Sequence, residues 1–471
     1  MTPKFIPGIQ LCGQFYAQIV RPLLETHFPA LEYSAALLGD GSETLGYDTP
    51  MSRDHHWGPR VMVFVHESDI GLAAQIHQML AENLPYTFLG YSTHFSQPNP
   101  DDNGTQLLET IDSGPVNHRI TVQTPPSLLA DHLGLDSAEN LSPADWLSLP
   151  EQRLLTLTAG AVYHDGIGLE ELRRRFDYYP HDVWLYLLAC GWARIGQEEH
   201  LMGRAGLVGD DVGSALIAAR LVRDIMRLCF LMERRYAPYP KWFGTAFKRL
   251  DCGPELYPTL GKILAACSWR TRQKHLIPAY EFIARKHNSL GQTKQMPETT
   301  TQFFGRPFQV IALQGFGDAL LAQIVDPQIA AFPLIGGIDQ WSDNTDLLES
   351  RTLRKKIAAI HRPKIGHFCY NIFMSDDKIK RPSTGLLFLV DNGMDSPHKM
   401  TLVRLVMKGI RISPEDLWKS LNTLPKEKLM DRQTFEQTLK ELVEEEWLWQ
   451  VEMDGKTIYS PRLKTSEGKP K

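Results

Sequence analysis

The sequence predicts an α+β fold: an N-terminal mixed sheet with helices, then an all-helical domain, then a small C-terminal domain. Two short apolar runs near the N-terminus have the composition of buried strands, and a long central segment carries apolar residues at helical spacing. The C-terminal part combines three helical segments with one hairpin signal. A chain of 471 residues is long for one hydrophobic core, so these elements are expected to form several domains.

The first 140 residues alternate between helical and strand patterns. Apolar side chains at helical spacing predict an opening helix over 10–28, despite Pro22. The elements that follow are a strand in "SAALLG", a strand in "RVMVFV", a helix in "GLAAQIHQMLAENLP", a strand in "NHRITVQT" and a helix in "PSLLADHLG". This order predicts a mixed α/β domain over 1–140.

The chain between 141 and 290 is mainly helical in pattern, which predicts a second, helical domain. Its clearest helix spans 210–236. The side chains expected to face inward from it are Leu216, Ala219, Val222, Ile225, Met226, Phe230 and Met232. Arg220, Arg223 and Arg227 share another stripe of the same helix.

Three further regions complete the chain. Residues 291–395 mix short apolar runs with turns, and their pattern assigns no architecture. Residues 396–465 contain three helical segments and a hairpin around "DG", which is the outline of a winged helix. Ser413 is the expected N-cap of the second of these helices. The composition of 466–471 is typical of a disordered tail.

Composition and charge exclude several classes of function. A net charge of −5 gives no reason to expect a nucleic-acid or anionic-membrane partner. The six cysteines are scattered without a CxxC pair, which is typical of reduced core thiols. No apolar run approaches the roughly 20 residues of a membrane span, and the N-terminus lacks the apolar core of a signal peptide. We therefore expect a cytoplasmic protein.

The strongest functional signal is the segment "GDGSETLGYDTPMSRDHHWGPR" between the first two predicted strands. Gly41-Ser42 at the end of a strand would let the backbone approach a phosphate, which exposed amides and the Ser42 hydroxyl would bind. Asp54 and His56 are two residues apart, so on an extended backbone both would point to one face and could share a divalent cation. A phosphate cradle beside a metal pair is what nucleotidyl transfer needs.

This motif resembles the nucleotidyltransferase superfamily built on the DNA-polymerase-β palm, whose small bacterial branch includes the aminoglycoside nucleotidyltransferases. The superfamily carries a Gly-Ser, about a dozen residues, then an acid, one residue and a second acid. "GSETLGYDTPMSRDHHWGPR" together with "ERRYAPYPKWFGTAFKRL" looks like an uncharacterised bacterial family of nucleotidyltransferase-like proteins, over about residues 5–350. The resemblance implies a minimal nucleotidyltransferase domain, a helical substrate-binding domain, a nucleoside triphosphate (NTP), a divalent metal (Mg²⁺ or Mn²⁺) and a small-molecule acceptor.

The sequence departs from the superfamily pattern at two metal positions. His56 stands where the second carboxylate is expected, and an imidazole suits zinc or manganese better than Mg²⁺. The superfamily places a third acid on a neighbouring strand, but "NHRITVQT" holds Thr121 and no acid. Glu109 or Asp112 could supply an acid from elsewhere in the chain.

Basic residues near these motifs are candidates for phosphate binding. Arg53 and Arg60 could contact phosphate, or could equally pair with Asp48 or Asp54. Arg223 could clamp a triphosphate from the helical domain, and the alternative is a solvated stripe paired with acids.

Other candidates lie in the helical domain and beyond. Lys241, in "RRYAPYPKWF", could bring a cation to the nucleotide across the domain cleft. In the resembling enzymes a glutamate of the helical domain is the general base on the acceptor hydroxyl, and Glu198, Glu199 and Glu233 are the candidates here. The segment "GGIDQWSDNTDLLESR" is dense in acids. These acids could bind a metal, but turn chemistry and an Asn344 helix cap explain them as easily.

Three function classes follow from these observations. The first is a metal-dependent nucleotidyltransferase that moves a nucleoside monophosphate from an NTP to a hydroxyl of a small molecule. The second is a catalytically degenerate nucleotide-binding sensor or scaffold. The third, a DNA-binding regulator, is disfavoured because the expected recognition segment "TFEQTLKELVEEEW" holds five glutamates and a single lysine.

Overall fold

The computed structural model describes residues 3–54, 56–361, 398–399, 401–402, 405–406, 413–422, 430–445, 448–453 and 456–461. The Asp54 side chain, Cys369 and the predicted tail 466–471 lie outside the described part. The chain divides into two compact units, Met1–Asn371 and Ile372–Lys471. The predicted α+β fold class is confirmed.

Strands and helices alternate at the start of the first unit, and helices dominate the rest of it. Its strands are β1 Tyr33–Leu37, β2 Arg60–Val65, β3 Thr87–Phe88, β4 Tyr91–Ser92, β5 Arg119–Gln123, β6 Ala161–Asp165, β7 Thr301–Gln302 and β8 Gln309–Val310. Its first helices are α1 Gly8–Phe15, α2 Arg21–His27, α3 Ala73–Asn83, α4 Pro125–Leu133, α5 Pro143–Ser148, α6 Glu151–Thr158, α7 Leu169–Arg174, α8 His181–Leu207 and α9 Asp211–Met232. The later helices are α10 Pro240–Phe247, α11 Gly253–Ala265, α12 Trp269–Ser289, α13 Phe316–Leu321, α14 Pro327–Ala330, α15 Ile338–Trp341, α16 Thr345–Glu349 and α17 Arg351–Ile357.

A mixed four-stranded sheet forms the centre of the N-terminal part, with strand order β5-β2-β1-β6. β1 pairs antiparallel with both β2 and β6, and β2 pairs parallel with β5. The register places Val63 opposite Ala35 on β1 and opposite Val122 on β5. The two strands predicted from "SAALLG" and "RVMVFV" are therefore neighbours in the sheet.

Both faces of this sheet are covered, which explains the continuous apolar runs of its central strands. Successive side chains of a strand point to opposite faces. Ala35 and Val63 accordingly belong to a core shared with α1–α3, whereas Ala36 and Phe64 belong to the core of the helical part.

The fourth strand comes from beyond residue 140, where the sequence pattern predicts the α/β domain to end. β6 pairs with β1, and Gly160 just before it has φ +80°. A Cβ atom at Gly160 would lie 2.0 Å from the carbonyl oxygen of Leu37. Glycine is therefore required where the chain enters the sheet.

The predicted central helix is present as α9, which packs along α8. The expectation that Leu216 and Ala219 face inward is wrong, because Leu216 is 62% exposed and Ala219 is also exposed. The buried stripe instead runs through Ala218, Leu221 and Ile225. The face of α9 that packs against α8 is therefore rotated slightly from the predicted face.

The described parts of the second unit contain α18 Pro414–Leu421, α19 Arg432–Glu444, and an antiparallel hairpin of β9 Leu448–Met453 and β10 Lys456–Pro461. The predicted cap is present, since the Ser413 hydroxyl accepts the N–H of Asp416 at 3.2 Å. Most of the first predicted helix lies outside the described residues, and the winged helix stays a prediction.

The sequence analysis expects reduced core thiols and no membrane-spanning helix, and the described residues bear on both expectations. The five cysteines among them are free thiols, and four of these are buried. Among the helices in the described ranges, none combines the length and apolar character that crossing a bilayer requires.

Candidate functional site

A cleft of about 710 Å³ in the first unit brings together the glycine-rich loop after β1 and the helical part of the chain. Its lining residues are Asp40, Leu45, Gln152, Arg153, Leu155, Thr156, Arg223, Arg227, Ala237, Pro238, Tyr239, Pro240, Phe243, Asp339, Asp343, Thr345, Leu348 and Glu349. A cleft of this size suits a ligand as large as a nucleotide.

The loop after β1 is fixed by hydrogen bonds to its own backbone and to α6. Gly39 has φ +127°, a conformation that favours glycine, and its N–H donates to the Thr156 carbonyl at 3.0 Å. The Thr44 hydroxyl lies 2.8 Å from the carbonyl oxygen of Gly39 and 2.7 Å from that of Gly41. The loop therefore presents Asp40 to the cleft in a defined conformation.

The amide groups at the tip of this loop are not used to hold the loop together. Within the described part of the chain, the N–H groups of Asp40, Gly41 and Ser42 donate to no other backbone group. Consecutive amides of this kind form a concave site for an anion. Gly41 and Ser42 do not line the cleft itself, and their contact with phosphate stays a prediction.

Arg60 has a structural partner that the sequence did not indicate. Its guanidinium contacts the carboxylate of Glu43, and burial lowers the pKa of Arg60 below its usual value. A Cβ atom at Gly41 would lie 2.5 Å from the same Glu43 carboxylate, so glycine leaves room for this pair. Asp48 instead accepts hydrogen bonds from the Gly8 amide at 2.7 Å and the Trp57 indole at 3.2 Å.

The backbone around Asp54 and His56 is not the extended strand that the sequence analysis assumes. Pro50–Asp54 is a 3₁₀ turn, His56 has φ +50°, and β2 begins only at Arg60. Arg53 belongs to the same turn, where its Nε donates to the Pro50 carbonyl at 3.0 Å. The expectation that Asp54 and His56 share a face by strand alternation is therefore wrong.

His56 is held by a polar cluster at the edge of the sheet. Its Nδ1 accepts the N–H of Gln106 at 3.3 Å and contacts the Arg119 guanidinium. Burial, followed by the charge of Arg60, lowers the pKa of Arg119 to about 10. Because Nδ1 faces a cation and accepts an amide proton, it does not fit the role of a metal ligand.

In ranges 3–54 and 56–361 and in the described parts of the second unit, no group of three or more His, Cys, Asp or Glu side chains could hold a metal ion. The Asp54 side chain is not among the described groups.

Two arginines of α9 reach the cleft, and the third of the predicted stripe does not. Arg223 binds Asp343, with Nη1 and Oδ2 2.6 Å apart, and Arg227 lies 3.6 Å from the other oxygen of Asp343. Arg220 instead pairs with Glu198 of α8. The arginine stripe is thus divided between the cleft and an ion-pair cluster.

A buried pair of acids adjoins Arg227 at the floor of the cleft. The Asp339 carboxylate accepts the N–H of Glu151 at 2.8 Å, and Glu151 accepts the N–H of Ala237 at 2.7 Å. Burial and the neighbouring Asp339 raise the pKa of Glu151 to about 7, and burial also raises the pKa of Asp339. Arg227 lies 3.8 Å from Glu151 and offsets part of the negative charge of the two acids.

The glutamates predicted as general bases have structural partners away from the cleft. Glu199 accepts the N–H groups of Ile311, Ala312 and Leu313, at 2.7, 3.1 and 3.1 Å. Glu233 accepts two amide protons at the start of α11 and pairs with a lysine of α12 at 2.8 Å.

An aromatic wall connects α10 to the glycine-rich loop. Tyr239 and Phe243 line the cleft, and Trp242 stacks on Tyr47 of the loop with ring centroids 5.0 Å apart. Lys241 is exposed and lies 5.2 Å from the Trp242 ring centroid, outside the lining set.

Sequence reasoning missed Arg153 and Phe243, which line the cleft, and Glu151, which adjoins the cleft residue Arg227. Glu151 and Arg153 lie in the first turn of α6, directly after Pro150. The loop contacts the last turn of α6 instead, through the Thr156 carbonyl, so the helix start carried no local signal of the cleft. Asp339 and Asp343 come from the acid-dense segment, whose predicted Asn344 cap is present, with Oδ1 accepting Leu347 N–H at 2.9 Å.

Comparisons with known proteins give limited matches. Residues 146–243, which supply much of the helical wall of the cleft, match a family described as a domain of unknown function (DUF4037). No curated protein matches the chain. Among solved structures, a nucleotidyltransferase-like protein from Exiguobacterium sibiricum 255-15 aligns over 67% of this chain and 89% of its own, with 10% identity and a TM-score of 0.27. A likeness at that level carries no argument about function.

Proposed function

We propose that this protein binds an NTP in the cleft and transfers its nucleoside monophosphate to a hydroxyl group of a small molecule, with release of pyrophosphate. The observation that carries the proposal is the convergence, on one cleft of about 710 Å³, of the glycine-rich loop with Arg153, Arg223 and Arg227. Guanidinium groups and consecutive loop amides are the two kinds of donor that proteins use for phosphate.

The lining suggests how the nucleotide would be held. The phosphates would lie between the loop at Asp40, whose N–H has no backbone partner in the described part of the chain, and the guanidinium groups of Arg223 and Arg227. The base would lie against Tyr239 or Phe243, since flat apolar rings favour stacking. Lys241 is exposed near this wall and would add long-range attraction for the polyanion.

Carboxylates of the same region would serve the chemistry. Asp40 lines the cleft and would hold a divalent cation (Mg²⁺ or Mn²⁺), which neutralises phosphate charge when bound. Asp54 is the carboxylate that the sequence predicts for such a cation. Asp339 also lines the cleft, and its raised pKa suits a group that accepts the proton of the acceptor hydroxyl. We prefer Asp339 for this role over Glu198 and Glu199, whose contacts lie elsewhere.

A second candidate function is nucleotide binding without transfer, as in a sensor or scaffold. The geometry of His56 favours it, because the Nδ1 atom at the second metal position is engaged by Gln106 and Arg119. Such a protein would keep the phosphate contacts of the cleft without the paired metal ligands.

Calorimetric titration with ATP, GTP, CTP and UTP distinguishes these functions. Each titration is run with Mg²⁺, with Mn²⁺ and with EDTA, on the wild type and on Asp54→Ala. Transfer chemistry predicts metal-dependent binding that Asp54→Ala abolishes. Binding that survives both EDTA and the substitution supports the sensor, and absence of binding by all four nucleotides contradicts both functions.

A further inference from the structure

The three arginines of the cleft each face a carboxylate from one short segment, residues 342–349, which we name the acidic strap. Asp343 lies 2.6 Å from Arg223 and 3.6 Å from Arg227. Glu349, at the other end of the strap, lies 3.7 Å from Arg153. The donors best suited to phosphate are thus occupied by acids of the chain itself.

The acidic strap contacts α9 through Asp343 and α6 through Glu349. The side chains of Asp343 and Glu349 are 53% and 55% exposed. Leu348 is the buried apolar residue of the strap, and it packs in a small cluster with Ile338 and Ile357, separate from the main helical core. The Arg223–Asp343 pair is bidentate, with a second bond of 2.6 Å from Nη2 to Oδ1, whereas the Arg227 and Arg153 pairs are single contacts of 3.6 and 3.7 Å. All three are partly open to solvent, so a more highly charged anion can compete for the arginines.

Arg354 does not line the cleft, but it adds positive charge close to Arg153. Arg354 is 5% exposed, and its Nε and Nη1 atoms have no hydrogen-bond partner among the described residues. Burial, with the charges of Arg153 and Arg351, lowers the pKa of Arg354 to about 10. A ligand with several negative charges would compensate this region better than one half-exposed carboxylate does.

We infer that Asp343 and Glu349 compete with the phosphates of the nucleotide for Arg223, Arg227 and Arg153, and that binding displaces the acidic strap from the cleft. A carboxylate and a phosphate present similar oxygen pairs to a guanidinium fork, which is why one replaces the other. The inference rests on the proposed function, because the displacing group is the triphosphate. The affinity of the cleft for the nucleotide then depends on the acidic strap as well as on the arginines.

Titration with the four NTPs and with inorganic tripolyphosphate tests this competition. Asp343→Asn and Glu349→Gln should each bind the polyanion about two- to fivefold more tightly than the wild type, as expected for releasing a half-exposed ion pair. Asp346→Asn is the matched control, because it removes the same charge from an exposed position of α16. That control should change affinity by less than about 1.5-fold.

Hydrogen exchange of the strap amides gives an independent readout. Displacement predicts faster exchange over 343–349 when the nucleotide is added. Slower exchange there, or equal gains in affinity for Asp343→Asn and Asp346→Asn, would overturn the inference. If neither the wild type nor any variant binds any of the five polyanions, the proposed function itself is contradicted. If they bind but the strap variants behave like the control, only the displacement of the strap is contradicted.

Discussion

The Glu151 carboxyl group illustrates how burial changes the chemistry of one residue. Glu151 is 5% exposed, accepts one backbone N–H, and has the carboxylate of Asp339 as a neighbour. Burial and the Asp339 carboxylate disfavour its charged form more than the backbone N–H favours it, so its pKa rises to about 7 from an ordinary value of 4.5. The folded protein therefore holds a proton on this pair over a pH range in which the unfolded chain has released it.

This pKa difference predicts a pH dependence of stability. A carboxyl group whose pKa is raised by folding favours the folded state at low pH. That contribution to stability is lost as the pH rises from the pKa of the unfolded chain through the pKa of the folded protein. Between pH 4.5 and about 7, the free energy of unfolding of the wild type should fall by about 2 kcal/mol relative to that of Glu151→Gln. Urea denaturation at pH steps across this range measures the difference.

The control for this experiment is Glu139→Gln, an exposed carboxylate whose side chain is 69% accessible. It should track the wild type at every pH. If Glu151→Gln also tracks the wild type, the buried pair does not retain its proton and our account of the cleft floor is incorrect.

At the scale of elements, the entry of β6 into the sheet depends on one backbone position. Gly160 has φ +80°, its N–H donates to the Thr44 carbonyl of the glycine-rich loop, and its Cα approaches the Leu37 carbonyl. This residue thus links the end of β1, the loop of the cleft and the fourth strand. A side chain here would separate elements that form the cleft.

We expect Gly160→Ala to lower the free energy of unfolding by about 3 kcal/mol. The added Cβ would clash with the Leu37 carbonyl oxygen, and alanine would also have to adopt a strained positive φ. Gly209→Ala is the matched control: Gly209 has φ +84° but nothing within 4 Å of an added Cβ. The control should cost only about 1 kcal/mol. Equal losses in guanidinium denaturation would show that contact with β1 is unimportant.

The elements themselves were largely predictable, because their apolar periodicity is a local property of the sequence. The buried strands β1 and β2 and the helix α9 follow from it directly. Periodicity could not separate Arg220 from Arg223, because both lie on one stripe and only the placement of α8 and the acidic strap gives them different partners. The pairing of Glu43 with Arg60 is likewise a tertiary contact without a local signal.

At the scale of the whole molecule, the cleft depends on segments that are distant in sequence. The loop at Asp40, the helix start at Arg153, α9 with Arg223, and the segment of Asp343 meet within one compact unit. The motif around Gly41 and Ser42 indicated the first of these segments. The aromatic wall reaches the cleft through the packing of the helical part, and the acidic strap through its ion pairs and its own small apolar cluster. Neither set of contacts has a local signal in the sequence.

The central claim is that this cleft binds an NTP through the arginines of α9, and one comparison tests it most directly. Calorimetric titration of the best-binding NTP into Arg223→Ala should show affinity reduced about tenfold or more, the usual consequence of losing a charge-assisted hydrogen bond to phosphate. Arg220→Ala removes the same charge from the same helix but from the Glu198 pair outside the cleft, and its affinity should stay within about twofold of the wild type. Equal affinities for the two variants would contradict the claim.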